Sequence, residues 1–384
     1  MLHAAAARIR RIRWAMLAPT GRRASGRQER MTPPLAPLHD PRIRSFASDN
    51  FAAAHPEVLE AVGVANGGHL GSYGADPYTE RLRELTTELF GEGATVWPLF
   101  NGTGANVVAL QSMLPPWGSV ITAATSHMHT DENGAPARVA GITLLTVDAP
   151  DAKLTPELID RQAWGRGDQH RAQPLAVSVT QSTELGTAYT ADGLRAVVEH
   201  AHGLGMLVHL DGARLANAAA AAGVPLAALS SDLGVDAISL GGTKNGLLGA
   251  EAVVLLGEAG RAGAPYVRKM DMQLASKMRF VSAQLLALLE PAEAPLWQRN
   301  AAHANAMARR LRAGLEAVDG VRFTVPTEAN AVFAALPPGA AERARERFAF
   351  YDWPGGAGEV RLMCSWDTEP GDVDELVAAV SSAV

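Results

Sequence analysis

Short apolar runs alternate with helical stretches through most of the chain, and this alternation constrains the fold more than any other feature. Seven such runs lie at 94–100, 119–123, 142–147, 175–180, 206–210, 236–240 and 252–256. Stretches with helical spacing separate most of them, notably 155–163, 190–204 and 214–222. Continuous apolar strands joined through helices form parallel sheets that are covered on both faces. The sequence therefore predicts an α/β fold with a mostly parallel sheet.

The rest of the chain completes this domain and adds a second one. Upstream helices are predicted at 56–65, 77–90 and 101–114, and the second has Pro77 at its start and Gly91 just past its end. Two long helices are predicted at 270–289 and 295–318. The elements after them are strands at 321–325, 329–336 and 359–366, a helix near 340–348 and a last helix from 372. We expect a large domain at 41–290 and a smaller C-terminal α+β domain at 291–384.

The first forty residues differ in composition from the rest. Eight arginines lie between Arg8 and Arg30, among Ala, Gly and Pro, and Glu29 is the first acidic residue. The apolar region and the cleavage site of a secretory signal are poorly formed. Residues 1–40 are predicted to be a disordered extension, or the product of a mis-assigned start with Met31 as the initiator.

Composition excludes several classes of function. The net charge is −6 and the pI is near 6.0, whereas a nucleic-acid-binding protein shows a basic face. The single Cys364 rules out an intramolecular disulfide framework and favours a reducing compartment. No apolar stretch is long enough to span a bilayer. We expect a cytoplasmic protein that acts on a small molecule, with neither a nucleic-acid nor a membrane partner.

One lysine lies at the end of a predicted strand, among residues that are unsuited to a core. Lys244 follows the run 236–240, within Ser-Leu-Gly-Gly-Thr-Lys-Asn-Gly at 239–246. Open α/β sheets hold ligands at the carboxyl ends of their strands. Partial loss of hydration there lowers the pKa of an amine and makes it a Schiff-base former. The alternative is a solvated loop lysine.

An acidic residue lies at the end of the preceding predicted strand. Asp211 is part of His-Leu-Asp-Gly-Ala-Arg at 209–214. Strand ends one βαβ unit apart lie at the same sheet edge, so Asp211 and Lys244 are predicted to share a site. A carboxylate beside a Schiff-base lysine is suited to keep the ring nitrogen of pyridoxal phosphate protonated, as its electron-sink chemistry requires. The alternative role of Asp211 is a helix N-cap.

The helix predicted at 101–114 begins with small residues directly after a strand. Gly102 and Thr103 would let backbone N–H groups approach an anion, and the helix dipole adds partial positive charge. No Gly-Lys-Ser/Thr follows, so this is neither a P-loop nor a dinucleotide fingerprint. A phosphate cup is predicted; an ordinary helix start is the alternative.

Two further polar segments follow predicted strands. The first is Ser-His-Met-His-Thr-Asp-Glu at 126–132. Histidines two positions apart are poorly placed as metal ligands, and no distant set completes a metal site, so we expect no metal and a His127 ring stacked on the coenzyme. The second is Thr-Gln-Ser-Thr-Glu-Leu-Gly-Thr at 180–187, which is predicted to border the same pocket because unpaired polar groups are costly in a core. A solvated loop is the alternative.

Taken together, these motifs resemble the low-specificity L-threonine aldolases, which belong to the β-eliminating lyase group of fold-type-I pyridoxal-phosphate enzymes. The matching motifs occur in order between 46 and 366: Ser48-Asp49-Asn50, Tyr73-Gly74-Ala75-Asp76-Pro77, 101–106, His127 with Glu132, 181–186, 209–214 and 242–246. The family often has an acidic residue where Ala75 stands, and the arginine-rich extension has no counterpart in it. The resemblance implies a fold-type-I large domain followed by the smaller C-terminal domain.

The resemblance also implies how the coenzyme is held. Lys244 would form the Schiff base, Asp211 would pair with the pyridine nitrogen and His127 would stack on the ring. The implied coenzyme contacts are Lys244, Asp211, His127, Gly102, Thr103, Thr243 and Arg214.

Two arginines are implied to hold the substrate carboxylate. Arg214 and Arg361 would clamp it, with Ser48 assisting, because the planar guanidinium can pair with a carboxylate through two hydrogen bonds. Without the resemblance, Arg361 could equally be a surface residue on an edge strand. Tyr73 would lie near the substrate or near the coenzyme of a neighbouring subunit.

The implied reaction is retro-aldol cleavage of L-threonine or L-allo-threonine to glycine and an aldehyde, so the chain is predicted to be an aldehyde-lyase. His127 is the candidate base, because imidazole titrates near working pH; His129 and Glu132 are alternatives. A β-eliminating lyase or aminotransferase on the same scaffold is the second hypothesis, and a catalytically silent sensor or scaffold is the third. The resemblance further implies a homotetramer built from dimers.

Overall fold

A computed structural model describes residues 36–383 except Gly355 and Ala357. One compact unit begins at Arg44 and extends to the C-terminus, and a separate unit precedes it. Of that separate unit, 36–43 are described and contain an ion pair between Arg42 and Asp40. Most of the predicted N-terminal extension, 1–35, lies outside the described residues. No helix within the described ranges has the length and apolar character needed to cross a membrane.

The main sheet has seven strands. They are β1 Thr95–Leu99, β2 Gly118–Ala123, β3 Thr143–Val147, β4 Gln173–Thr180, β5 Leu207–Gly212, β6 Ala237–Gly241 and β7 Glu251–Leu255. Their order is β1-β7-β6-β5-β4-β2-β3. Strands β3, β2, β4, β5 and β6 are parallel to one another, whereas β7 is antiparallel to both β6 and β1. The mostly parallel sheet predicted from the apolar runs is confirmed, and one strand is reversed.

Both faces of this sheet are buried, since successive side chains along a strand point to opposite faces. Ile121, Val177 and Ile238 pack in one apolar cluster, and their chain neighbours Val120 and Ala176 pack in another. The helices are α1 Pro56–Ala65, α2 Pro77–Phe90, α3 Gly102–Met113, α4 His127–Thr130, α5 Ala135–Arg138, α6 Pro156–Ala163, α7 Ala191–Gly203, α8 Leu215–Ala222, α9 Ala264–Met270, α10 Arg279–Leu289, α11 Leu296–Glu316, α12 Ala340–Arg345 and α13 Pro370–Ser381. The first cluster includes residues of α7 and α10, and the second includes residues of α3.

A second sheet of four antiparallel strands follows. Its strands are β8 Arg322–Phe323, β9 Ala331–Ala335, β10 Tyr351–Asp352 and β11 Glu359–Met363, in the order β10-β11-β9-β8. A third cluster joins this sheet to α11, α12 and α13. Strands with helices at 291–384 were expected, and they are present. The domain boundary near residue 290 stays a prediction, because the whole stretch from Arg44 is one compact unit.

The long helix predicted at 270–289 is wrong in its first half. Met270 ends α9, and helix resumes only at Arg279. The intervening backbone turns at Met272, whose φ is 62°. Apolar spacing favoured one helix, but the segment instead makes contacts with distant parts of the chain: the carbonyl of Ser276 accepts a hydrogen bond from the N–H of Tyr73, and the side chain of Gln273 accepts one from the N–H of Phe100.

Candidate active site

Lys244 lies in a tight turn at the carboxyl end of β6. The turn is a 3-10 helix, Thr243–Asn245, which ends at Gly246 with φ 98°. Glu251, the first residue of β7, is buried and accepts hydrogen bonds from the N–H groups of Gly242 (3.1 Å) and Thr243 (3.2 Å). Both oxygens of one carboxylate thus hold the backbone that precedes the lysine.

The surroundings of Lys244 favour its neutral amine. Burial lowers the pKa of Lys244, and the nearby positive charge of Arg214 lowers it further. The negative charges of Asp49, Asp211 and Glu251 oppose this shift without cancelling it. A less basic amine at a strand end is suited to form a Schiff base with a carbonyl compound.

Asp211 lies on the neighbouring strand and faces the same sheet edge. It pairs in register with Ser239 of β6 and is buried. Its carboxylate accepts hydrogen bonds from the N–H of Ala213 (3.1 Å) and from Nδ2 of Asn106 (3.0 Å). Asn106 comes from α3, so the helix behind the predicted phosphate cup also positions the acid.

Asn106 links Asp211 to the histidine. Its Nδ2 also donates to Oε1 of Glu132 at 2.8 Å, and the same oxygen lies 2.9 Å from Nδ1 of His127. The hydrogen bond to Glu132 is the main reason that the pKa of His127 is raised; burial opposes it. Burial raises the pKa of Glu132. His127, Glu132, Asn106 and Asp211 therefore form one continuous chain of hydrogen bonds.

The backbone of His127 is held by a second acidic residue, the half-buried Glu184. Its N–H donates to Oε1 of Glu184 at 2.9 Å, and the Thr180 hydroxyl donates to the same oxygen at 2.9 Å. Burial raises the pKa of Glu184. The polar segment 180–187 therefore contacts His127, and its place beside a shared ligand pocket stays a prediction. The alternative base His129 is exposed.

The N-terminus of α3 has the form expected of an anion site. Asn101 caps the helix by accepting from the N–H of Gly104 at 2.7 Å. In the part of the chain that the structure describes, the N–H groups of Gly102 and Thr103 have no protein acceptor. A Cβ built on Gly102 would meet nothing within 4 Å, so there is open space beside these donors.

Arg214 is held by a carboxylate that the sequence motifs contained without a role. Its Nε and Nη2 donate to the two oxygens of Asp49 at 2.6 and 2.8 Å. Asn330 adds a third hydrogen bond to Asp49, at 3.1 Å. Burial alone would raise the pKa of Asp49, but the charges and hydrogen bonds of Arg214, Lys244 and Asn330 together outweigh it and the pKa is lowered. Arg214 thus enters the site already paired.

Arg361 reaches the same region from β11. Burial lowers its pKa, and so does the charge of Arg214, which places the two guanidinium groups in one electrostatic environment. Its Nη2 donates to the carbonyl of Ala47 at 3.1 Å. The adjacent Ser48 is half-buried, and its hydroxyl accepts from the N–H of Asn50. The segment 47–49 therefore contacts both arginines.

Tyr73 is placed differently from the other predicted site residues. It has a left-handed backbone with φ 59°, and 51% of the residue is exposed. Its ring lies 5.1 Å from Nζ of Lys269, and its N–H donates to Ser276. Within the residues described, no contact joins it to the group around Lys244.

Sequence reasoning missed the residues that orient the site. Glu251, Asn106 and Asp49 each hold a predicted residue or its backbone, and Glu184 holds the backbone of His127. Asn106 and Asp49 lay inside the recognised motifs, so their polar character next to buried segments was the available signal. Glu251 had a weaker one, a charged residue at the start of an otherwise apolar strand.

Comparison with known proteins places this geometry in a family. A family model described as beta-eliminating lyase matches residues 45–337. The chain belongs to the beta-eliminating lyase family. It is 40% identical over 343 residues to a low specificity L-threonine aldolase from a Pseudomonas species, covering 89% of this chain and 98% of that relative. A low specificity L-threonine aldolase from Pseudomonas aeruginosa is 41% identical over 335 residues, covering 87% and 96%.

A solved structure agrees with these relatives. The threonine aldolase of Leishmania major has a TM-score of 0.83 with this lyase-family chain at 29% identity, covering 88% of this chain and 99% of that one. The fold is that of the fold-type-I pyridoxal-phosphate enzymes. The resemblance drawn from the ordered motifs, and the fold class expected from it, are both confirmed.

Proposed function

We propose that this lyase cleaves L-threonine and L-allo-threonine to glycine and acetaldehyde, with pyridoxal phosphate as its coenzyme. The observation that carries the proposal is that Lys244, whose pKa is lowered, the buried carboxylate of Asp211 and Arg214 meet at one sheet edge, which Arg361 approaches from β11. This chain covers nearly the whole length of two relatives, and both are named low specificity L-threonine aldolase.

The residues present suit pyridoxal phosphate. The N–H groups of Gly102 and Thr103 have no acceptor in the described chain, and Gly102 borders open space. They would take the phosphate, with Thr243 and Arg214 as further coenzyme contacts. Lys244 would hold the aldehyde carbon as a Schiff base. Asp211, fixed by Asn106, would face the ring nitrogen, and the half-exposed imidazole of His127 would cover a face of the ring.

Cleavage requires a proton to leave the β-hydroxyl and another to reach Cα. The O–H electron pair becomes the carbonyl of the aldehyde, and the electrons of the Cα–Cβ bond pass to Cα. Pyridoxal phosphate supplies the electron sink that stabilises this carbanion. The chain's own groups must therefore accept one proton and deliver one.

His127 is our candidate for holding the hydroxyl proton. Its Nδ1 faces Glu132 at 2.9 Å, which leaves Nε2 without a protein partner among the described residues. A carboxylate at Nδ1 favours the tautomer with its hydrogen there, so Nε2 can accept a proton. Because the Glu132 contact raises the pKa of His127, the resulting imidazolium is stabilised.

The arginines would orient the substrate. Arg214 pairs with Asp49 through Nε and Nη2, so its Nη1 group remains available to a ligand. The buried Nε of Arg361 has no acceptor in the described chain. Together they would take the α-carboxylate, with Ser48 assisting. Holding the carboxylate sets which bond at Cα stands perpendicular to the coenzyme ring, and therefore which bond breaks.

We also propose that the enzyme is a cytoplasmic homotetramer built from dimers. Large apolar side chains on α9 and the turn after it support a subunit contact: Tyr266 is 77% exposed, Met270 62% and Met272 87%. Tyr73 lies against Lys269 of the same helix and would approach the coenzyme of a neighbouring subunit. Light scattering of the purified protein measures the state directly, and a monomer would contradict it.

The decisive experiment compares products. Purified enzyme supplied with pyridoxal phosphate should release acetaldehyde from L-threonine and L-allo-threonine. Lys244→Ala should lose both the activity and the visible absorbance of the lysine-bound coenzyme. Lys153→Ala is a matched control, because Lys153 forms an ion pair with Asp151 and is expected to keep both.

Two results would overturn the assignment. Pyruvate from L-serine or L-cysteine without acetaldehyde from threonine would indicate a β-eliminating activity, and transfer of the amino group to a keto acid would indicate an aminotransferase. Protein that remains colourless after incubation with pyridoxal phosphate would contradict the coenzyme itself.

A further inference from the structure

Three cations surround one buried carboxylate at the substrate end of the site. Asp49 is 1% exposed, and its charge acts on Lys244, Arg214 and Arg361. Its two oxygens accept hydrogen bonds from Nε and Nη2 of Arg214 at 2.6 and 2.8 Å. Arg361 donates to a backbone carbonyl at 3.1 Å, and no carboxylate of the described residues forms an ion pair with it. Of the two arginines, one is therefore neutralised by the protein.

Asp49 is fixed in this place from a second direction. Nδ2 of Asn330 donates to Asp49 at 3.1 Å and to the carbonyl of Cys364 at 2.8 Å, so the amide that holds the carboxylate is itself held by the backbone. The lowered pKa of Asp49 keeps it ionised at working pH. The carboxylate is a permanent part of the charge balance.

We propose that Asp49 is a specificity-determining residue that restricts the enzyme to amino acids with a single carboxylate. By pairing with Arg214 it leaves the two arginines with one net positive charge, which matches the single α-carboxylate of a β-hydroxy amino acid with an uncharged side chain. A second carboxylate on the amino acid cannot pair with Arg214 in the same way, because Asp49 already does so. The negative charge of Asp49 would also repel it. The inference rests on the proposed function, in which the two arginines hold the substrate.

The physical basis is the cost of leaving a buried charge unpaired. Without the charge of Asp49, the guanidinium of Arg214 would be desolvated and lack an anion. A second ligand carboxylate can form the same two-hydrogen-bond pair and relieve this cost. A residue that served only to support the fold would, when changed, weaken all ligands by similar factors. The ratio of affinities therefore separates the two roles.

The test compares glycine with L-aspartate as ligands of the coenzyme-loaded enzyme, from the change in visible absorbance on titration. In Asp49→Asn, the ratio of the two dissociation constants should shift toward aspartate by about tenfold or more. Asp374→Asn is the matched control. Asp374 also accepts two hydrogen bonds from one guanidinium, that of Arg310, at 2.9 and 2.7 Å, but this pair lies on the exposed surface. The ratio of dissociation constants in Asp374→Asn should therefore equal that of the wild type.

An unchanged ratio in Asp49→Asn, or equal weakening of both ligands, would overturn the proposal. If that variant does not fold, Asn330→Leu removes the third hydrogen bond to Asp49 and should shift the ratio in the same direction by a smaller factor; no shift there would also overturn it. Acetaldehyde release by the wild type is measured separately. Its absence would refute the proposed reaction, while the binding ratio would still test Asp49.

Discussion

Replacing Asn106 with leucine removes the link between the two acids at the base of the site while keeping a branched side chain of similar shape. The amide donates to Oε1 of Glu132 at 2.8 Å and to Oδ2 of Asp211 at 3.0 Å, and both carboxylates are buried. After the change, Glu132 keeps only its contact with His127, and Asp211 keeps only the N–H of Ala213, among the residues that the structure describes.

The expected loss of stability follows from these two hydrogen bonds. A hydrogen bond to a charged group contributes about 1.5–3 kcal/mol, so the free energy of unfolding should fall by about 3–6 kcal/mol. The compact unit has roughly 340 residues, and an unfolding entropy of about 2.1 cal/mol/K per residue converts this loss into a melting temperature lower by about 4–8 °C.

The assay is urea unfolding of the coenzyme-free protein, followed by tryptophan fluorescence. Asn66→Leu is the control, because Asn66 is exposed and its side chain makes no hydrogen bond within the described chain; a change within about 0.5 kcal/mol is expected. The reasoning is refuted if Asn106→Leu is as stable as Asn66→Leu, since the relay would then contribute nothing to holding the acids in place.

The remaining predictions concern two other buried groups. His209 lies between the hydroxyls of Ser178 and Ser239, and burial lowers its pKa from 6.5 to about 4. Its share of stability is complete above pH 6.5 and is lost as the pH falls toward 4, by about 2 kcal/mol between about pH 7 and pH 5. His209→Gln should remove this part of the pH dependence in urea titrations, and an unchanged slope would show that His209 does not cause it. Glu251→Ala leaves the N–H groups of Gly242, which is buried, and Thr243, which is half-buried, without their acceptor and should lower the free energy of unfolding by about 2 kcal/mol or more. It should also speed release of the coenzyme in dialysis; release at the wild-type rate would contradict the positioning role.

Much of the fold could be predicted because it depends on local patterns. The helices Pro56–Ala65 and Pro77–Phe90 have the predicted bounds, since proline at the start and the spacing of apolar residues act within a few residues. The strands β1–β7 lie within about two residues of the apolar runs. These runs are continuously apolar, as strands buried on both faces of a sheet require. In the segment 270–289, contacts with distant residues determine the backbone, and the local pattern wrongly predicted one continuous helix.

The sequence alone determined which side chains lie at the ends of β5 and β6, because parallel strands of one sheet place their carboxyl ends at one edge. It could not determine what holds those side chains. Asp49 and Arg214 are 165 residues apart, and Asn106 and Asp211 are 105 apart. A hydrogen bond forms only when two groups come within about 3 Å in the right direction, and that depends on how whole elements pack. The spacing of apolar residues along the sequence does not specify such distances, so only the tertiary structure determines which charged groups pair.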